Sequence, residues 1–519
     1  MRTVACIIVF LISLFQGMAS SMSVPQSRQE DGFQVRAAYL DFRTQVMTPE
    51  AMKEFARQIS DLGMNAIIVE WEGTFPFTGN LILRNRHAFS EEEVSDFISY
   101  CASLGVEVIP LQNCFGHAEY ILRHDRYAAL KEDRKDCSQV CPLEYDEAGT
   151  VFSSIFAETA RMHTSDYIHI GCDETRLLGH CRECGEYVRE KGISSLYVEY
   201  VSRMCRIVTA LGKTPVIWAD IILKYPEALE LLPDDVIIAD WNYGWKPDYF
   251  GSMESIEDSG HVIWGAASMR SHPDNLYLVQ WRKHLENIFT YTAYAADHGF
   301  QGIINTSWST SGTYGYIWDD GNEVVDIQPV REVYPQSGFD MLIQAFSAAV
   351  SGKYTDPDEF LDAYCRERLG LENDGDVSAV KEYFNMSQIP ASAFGGKPER
   401  AAAELEKCLA VRQKLEAVPF PENAGTIAAH LMLMLDIRIN YLEFKELDLK
   451  MQQEDFSPAS SETLLEDLRK VEKSCEKLRS EFIAMNGAYL KDAAQSFNEW
   501  TYYGKMKNLL AVLENIRKH

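Results

Sequence analysis

Two adjacent carboxylates, Asp173 and Glu174, close the segment His169-Ile170-Gly171-Cys172-Asp173-Glu174-Thr175. An Asp-Glu pair is most often a solvated loop. Here it follows an apolar, strand-like run, where one side chain can face a pocket while the other supports it. Two close carboxylates push their proton affinities apart, leaving one proton donor and one anion. Cleavage of a glycosidic bond needs that combination. A second set with chemical potential is sulfur: Cys137-x3-Cys141 and Cys181-x2-Cys184. Four thiolates from two short pairs suit a tetrahedral structural zinc site. Disulfides or free buried thiols are the other readings, and spacing does not choose among the three.

The elements that position these residues repeat. Short apolar runs alternate with amphipathic helical stretches. The runs are Val35–Leu40, Ala66–Glu70, Val106–Leu111, Tyr167–Gly171, Pro215–Trp218, Val236–Trp241, Val262–Trp264 and Ile303–Trp308. Between them lie helical stretches such as Thr48–Leu62, Ser90–Ser103, Thr150–Met162 and Leu196–Leu211. Eight strand–helix units imply an α/β fold, a (β/α)8 TIM barrel, over residues 33–350. An open doubly wound sheet would carry a Gly-rich phosphate turn after its first strand, and Leu40-Asp41-Phe42-Arg43 is not one. Polar and aromatic residues gather at the C-terminal ends of the runs: Asp41, Glu70, Glu72, Gln112, Asn113, Asp173, Glu174, Asp220, Trp241, Tyr243 and Trp308. Barrel active sites form at that end. Residues 355–519 read as a C-terminal α-helical domain, with stretches at 400–417, 424–452, 461–485 and 488–517. Its apolar faces pack on the barrel or, in a second reading, form a homodimer contact.

Taken together in chain order, these segments resemble the family 20 glycoside hydrolases, the β-N-acetylhexosaminidases. His-Ile-Gly-x-Asp-Glu is similar to the family signature. Arg36 to Arg43 resembles its first barrel strand, Phe115-Gly116-His117 its element after strand three, and Trp218-Ala219-Asp220 its Trp-x-Asp after strand five. Trp241-Asn242-Tyr243 and Thr306-Ser307-Trp308 match later aromatic positions. Departures from the common pattern include Trp264-Gly265-Ala266-Ala267-Ser268 on strand seven, Thr310 after the last Trp, and Glu70-Trp71-Glu72-Gly73 on strand two. Those features look like the hexosaminidase D-like branch.

The resemblance implies a retaining exo-acting enzyme that removes terminal β-linked GlcNAc or GalNAc. The substrate's acetamido oxygen would be the nucleophile and an oxazoline the intermediate, outside the two-carboxylate scheme. Glu174 would be the acid/base, and Asp173 would hold the acetamido N–H. Arg36 would grip sugar hydroxyls. Glu72 would stand behind His117, and His117 behind Glu174. Trp218, Trp241 and Trp308 would box the sugar, with Asp220 beside them and Tyr243 replacing a missing tyrosine on strand seven. No cofactor is required for this chemistry. The alternatives are another barrel acetamido-sugar glycosidase with an Asp-Glu pair, or a glycan-binding barrel without turnover.

The net charge of −28 disfavours nucleic acid and anionic membranes as partners and suits a neutral glycan. Arg2, the apolar run Val4–Phe15 and Gly17-Met18-Ala19-Ser20 read as a signal peptide over 1–20, implying a secreted or periplasmic protein. No later segment reads as a membrane span.

Overall fold

Alternation of side chains along eight short strands builds this fold. In the computed structural model, which describes residues 32–310, 314–318, 324–329, 332–498 and 501–518, the strands close into a parallel barrel. They are β1 (Val35–Asp41), β2 (Ala66–Glu70), β3 (Glu107–Leu111), β4 (Tyr167–His169), β5 (Thr214–Trp218), β6 (Ile237–Trp241), β7 (Ile263–Arg270) and β8 (Gly302–Ser307). The first strand pairs with both β2 (Ala37 with Ala66) and β8 (Ala38 with Asn305), which closes the ring. Ala37, Tyr39, Ala66, Ile68, Ile109, Leu111, Val216, Trp218, Ala239, Trp264 and Ile304 fill the barrel interior. Their neighbours Ala38, Leu40, Ile67, Val69, Val108, Ile217, Ile238 and Ile303 pack outward into the main core. The proposed signal peptide lies outside the described residues.

Helices cover the outer face. They are α1 (Pro49–Asp61), α2 (Glu91–Ser103), α3 (Tyr145–Met162), α4 (Arg182–Lys191), α5 (Ile193–Ala210), α6 (Met253–Ser259), α7 (Trp281–Asp297) and α8 (Asp340–Val350). Thr48 caps α1 by accepting from the Ala51 N–H, with a proline in the first turn. Buried Met52, Phe55, Ala56 and Ile59 give α1 one apolar face. Ser90 and Glu93 form a reciprocal capping box on α2. Two short 3-10 turns join β5 to β6. After β8 an antiparallel hairpin, β9 (Tyr314–Trp318) and β10 (Val324–Pro329), was not expected from the sequence.

Four long helices follow: α9 (Pro398–Glu416), α10 (Gly425–Met451), α11 (Pro458–Asn486) and α12 (Tyr502–Lys518). They share one hydrophobic core with the barrel, and residues Phe33–His519 form one compact unit. Helical periodicity at 488–517 is realised only from Tyr502 onward. Ahead of it, Leu490 forms a bridge with Met47, and the Lys491 N–H donates to the Val46 carbonyl, 2.8 Å away. These backbone groups pair with the barrel and so leave no helical ladder there. No helix among the described residues is long and apolar enough to cross a membrane.

Candidate active site

The C-terminal ends of β2, β3 and β4 carry every non-glycine residue with positive φ among the described residues: Glu72 (44°), His117 (52°), Cys172 (75°) and Glu174 (47°). Backbone held in this region costs of order 1–3 kcal/mol per residue and persists only where the surroundings enforce it. Two glycines show the enforcement. A Cβ on Gly116 would lie 2.1 Å from the Asp173 carbonyl oxygen, and one on Gly171 would lie 2.1 Å from Asn113 Oδ1. The Tyr200 hydroxyl donates to the Cys114 carbonyl (2.6 Å) and the Tyr197 hydroxyl to the Cys172 carbonyl (3.3 Å), so α5 props both turns from below.

These turns aim three side chains at one another. His117 Nε2 lies 3.3 Å from Asp173 Oδ2 and 3.4 Å from Glu174 Oε2. Burial works against a charged imidazole, but Asp173 and Glu174 lift the His117 pKa well above the ordinary histidine value. Glu174 is the converse case. Burial would raise it, yet His117 and then Arg176, 2.8 Å from Oε1, hold it at about 2. Arg176 is 75% exposed, so solvent screens it and His117 is the main partner. The Glu174 N–H donates to Asp220 Oδ2 (3.2 Å). Asp220 is buried and close to Asp173, and its pKa rises to about 7. Asp173 Oδ1 is buried and has no hydrogen-bond partner among the described residues.

A second charged group sits across the barrel mouth. Arg43 makes two hydrogen bonds of 3.0 Å to Asp41 and lies 3.4 Å from Glu70, with its side chain only 3% exposed. Glu70 also accepts from the Tyr39 hydroxyl (2.9 Å) and from Asn113 Nδ2 (2.7 Å). Burial lifts Glu70 to about 7 against the pull of Arg43. The Arg43 guanidinium stands 5.2 Å from the Trp308 ring centroid.

Aromatic rings link the two halves. Trp218 and Trp308 meet edge to face at 6.2 Å, and Tyr39 packs against both. Trp308 Nε1 donates to the Tyr243 hydroxyl at 2.9 Å, and Tyr243 packs on Trp241 at 5.1 Å. Asp173, Glu174, His117, Trp218, Asp220, Trp241, Tyr243 and Trp308 therefore lie at strand ends on one side of the barrel, as the sequence places them.

Three sequence expectations need correction. Arg36 sits near the start of β1, at the opposite end of the barrel, where it donates to the Gly63 and Phe33 carbonyls (2.8 and 2.6 Å). A strand carries its first and last residues to opposite rims, and Arg43, past the last residue, is the arginine in the site. Glu72 is buried, but among the described residues no hydrogen bond or ion pair joins it to His117. Its contact is to Asn113 Nδ2 at 3.4 Å, and Glu119 is the further carboxylate that raises His117. Cys137 does not join the other three cysteines. It packs in the main core, while Glu132 takes the fourth place beside Cys141, Cys181 and Cys184. Arg43 and Glu70 were findable from the rule that sites occupy strand C-termini. Asn113 already stood among the strand-end residues, whereas Arg176 and Glu132 carry no comparable signal.

A closed (β/α)8 barrel with an acidic pair, a proton-sharing histidine and a tryptophan wall at its C-terminal rim defines a glycoside hydrolase. The catalytic-domain model of glycosyl hydrolase family 20 matches residues 51–294. Over that stretch the chain is similar to the family 20 catalytic domain. It is 27% identical to hexosaminidase D of Bos taurus over 48% of this chain and 76% of the relative, and 26% identical to hexosaminidase D of Homo sapiens over 55% and 62%. It thus spans less than two thirds of the human protein. A solved β-N-acetylhexosaminidase from Bacteroides fragilis shares 20% identity, covers 65% of this chain and 70% of its own, and has a TM-score of 0.47.

Proposed function

We propose that the protein is a retaining exo-β-N-acetylhexosaminidase that cleaves terminal β-linked GlcNAc or GalNAc by substrate-assisted catalysis. The observation that carries this reading is the arrangement of Asp173 and Glu174 on one imidazole, with Asp173 Oδ1 a buried acceptor that no described residue satisfies. Adjacent residues cannot flank an anomeric carbon as acid and nucleophile from opposite faces. They can serve the two ends of one 2-acetamido glycoside.

In the first step Glu174, carrying the proton, gives it to the glycosidic oxygen. The C1–O bond breaks as the acetamido oxygen bonds to C1. Asp173 accepts the acetamido N–H and balances the positive charge that grows on the amide, a stabilisation that increases toward the transition state. In the second step Glu174 takes a proton from water, water attacks C1, and the oxazoline opens with net retention. Trp218, Trp241 and Trp308 exclude water and align the acetamido group. The Tyr243 hydroxyl accepts from Trp308 and would give its own proton to a hydrogen bond with the acetamido oxygen. Arg43, Asp41 and Glu70 offer paired donors and acceptors to the ring hydroxyls. Export after cleavage near Ala19 or Ser20 belongs to the same proposal, and N-terminal sequencing of the native protein reads it.

Paired aryl glycosides differing only at C2 test the mechanism. The 2-acetamido compound is expected to turn over and its 2-hydroxy counterpart to be nearly inert. Asp173→Asn should lose kcat more than it raises KM. A thiazoline analogue of the cyclised sugar should bind far more tightly than N-acetylglucosamine. Equal rates on the two glycosides would show that a protein carboxylate is the nucleophile.

A further inference from the structure

Three cysteines and one glutamate converge in a cluster that the proposed hydrolytic chemistry does not use. Cys141 Sγ lies 3.5 Å from Cys184 Sγ and 3.9 Å from Cys181 Sγ, and Cys184 Sγ lies 3.3 Å from Glu132 Oε2. One ligand atom from each of the four falls within 4.8 Å of every other. A tetrahedral zinc with Zn–S near 2.3 Å and Zn–O near 2.0–2.2 Å has S–S edges of about 3.8 Å and S–O edges of about 3.5 Å. The observed separations are those of such a shell. They are far from the S–S bond length of about 2.0 Å that a disulfide requires.

The surroundings are built for an ion. Glu132, Cys141 and Cys184 are buried, the first at 2% exposure, and Leu143, Leu178, Leu196 and Val188 wall them in. Among the described residues no Lys, Arg or His forms an ion pair with the Glu132 carboxylate, and an unpaired buried carboxylate is costly. Its Oε1 accepts the Cys181 N–H at 2.8 Å, which fixes the group and turns Oε2 toward the sulfurs. Cys181 Sγ in turn accepts the Cys184 N–H at 3.3 Å at the N-terminus of α4. These outer hydrogen bonds orient ligands as they do in metal centres.

We propose that Glu132, Cys141, Cys181 and Cys184 bind one structural Zn2+. Three soft thiolates exclude calcium and magnesium, which take oxygen shells. Four protein ligands leave no open position, so the ion does no hydrolytic chemistry. Glu132 and Cys141 lie on the segment after β3, which also carries His117. Cys181 and Cys184 lie just beyond Asp173 and Glu174. The ion therefore staples the two loops whose relative position sets the His117–Glu174 contact, alongside the bond from the Leu177 N–H to Gln139 Oε1 (2.8 Å).

The test uses the full chain purified under reducing conditions without chelator. Elemental analysis should find about one zinc per chain, and a mercurial thiol reagent should release it stoichiometrically to a chromogenic chelator. Cobalt(II) exchanged into the wild-type protein should show the thiolate charge-transfer and visible bands of tetrahedral coordination. Zinc should stay with Cys137→Ala, and Glu132→Gln should weaken its retention by more than about tenfold. Wild-type protein that holds no zinc and gives no such cobalt spectrum overturns the proposal. So does a peptide map with Cys141 disulfide-bonded to Cys181 or Cys184, or a Glu132→Gln variant that keeps zinc as tightly as wild type.

Discussion

His117 and Glu174 share a proton position, with the imidazole Nε2 3.4 Å from Glu174 Oε2 and both residues held at positive φ. The two pKa shifts have opposite signs because they describe one interaction: His117 is raised, and Glu174 is held at about 2. The interaction therefore favours the proton on the imidazole, and under the proposed mechanism Glu174 would act as an acid only once it receives it. Under that mechanism activity needs the proton, so it should be lost as pH rises through the raised pKa of the pair. His117→Gln removes the cation and leaves Glu174 to hold the proton alone, nearer the ordinary carboxylate range. The alkaline limb of kcat/KM should move to lower pH by about one unit or more. A variant with the wild-type limb would show that His117 does not store the proton.

Glu174→Gln keeps the size of the side chain and removes the donor. Turnover of substrates with poor leaving groups should fall by about 10²–10⁴-fold. Aryl glycosides with acidic leaving groups need less protonation, so their first step should suffer far less. Equal losses on both classes, read from single-turnover kinetics, would take the acid role away from Glu174.

Arg43 and Arg36 offer a sharper contrast, because they stand at the two ends of one strand. Arg43 forms a two-point pair with Asp41 inside the site, and an ammonium cannot reproduce that fork. Arg43→Lys should lower kcat/KM by about 10–100-fold, a loss of 1.4–2.7 kcal/mol of transition-state binding by the rate relation. Arg36→Ala should leave kinetics within about twofold of wild type and act on stability alone, through the hydrogen bonds lost at Gly63 and Phe33. The opposite ranking, measured on one aryl substrate, would return Arg36 to the site.

The same pair shows what a sequence can and cannot convey about this molecule. Strand period and the polar residues at strand ends made the barrel legible, because alternation follows directly from which face is buried. Asp173-Glu174 was legible because adjacency in sequence is adjacency in space. Arg36 was mistaken for Arg43 because a likeness spread over Val35–Asp41 does not say which rim a residue reaches. The sulfur cluster failed differently. Two Cys pairs have a readable spacing, but nothing local distinguishes Cys137, which turns into the main core, from Glu132, which turns toward Cys184. Arg176 acts through contacts made only by the folded loops.

Asp220 makes stability depend on pH in a direction opposite to that of a salt-bridged carboxylate. Burial first, and then the neighbouring Asp173, raise its pKa from the ordinary 3.8 to about 7 in the folded protein. Between those values the folded state holds a proton that the unfolded state does not. Stability from this group is therefore fully present below about pH 4 and is lost as pH rises through about 7, with a slope of at most about 1.4 kcal/mol per pH unit. Asp220→Asn removes the titration while its amide oxygen can still accept the Glu174 N–H. Glu70, also raised to about 7, titrates in both proteins, so the difference between them isolates Asp220. Chemical denaturation at several pH values from 5 to 8 should show the wild type losing stability relative to Asp220→Asn across that interval. Parallel curves would mean that Asp220 is already ionised at pH 5 and that the negative charge at the base of the Glu174 turn is permanent.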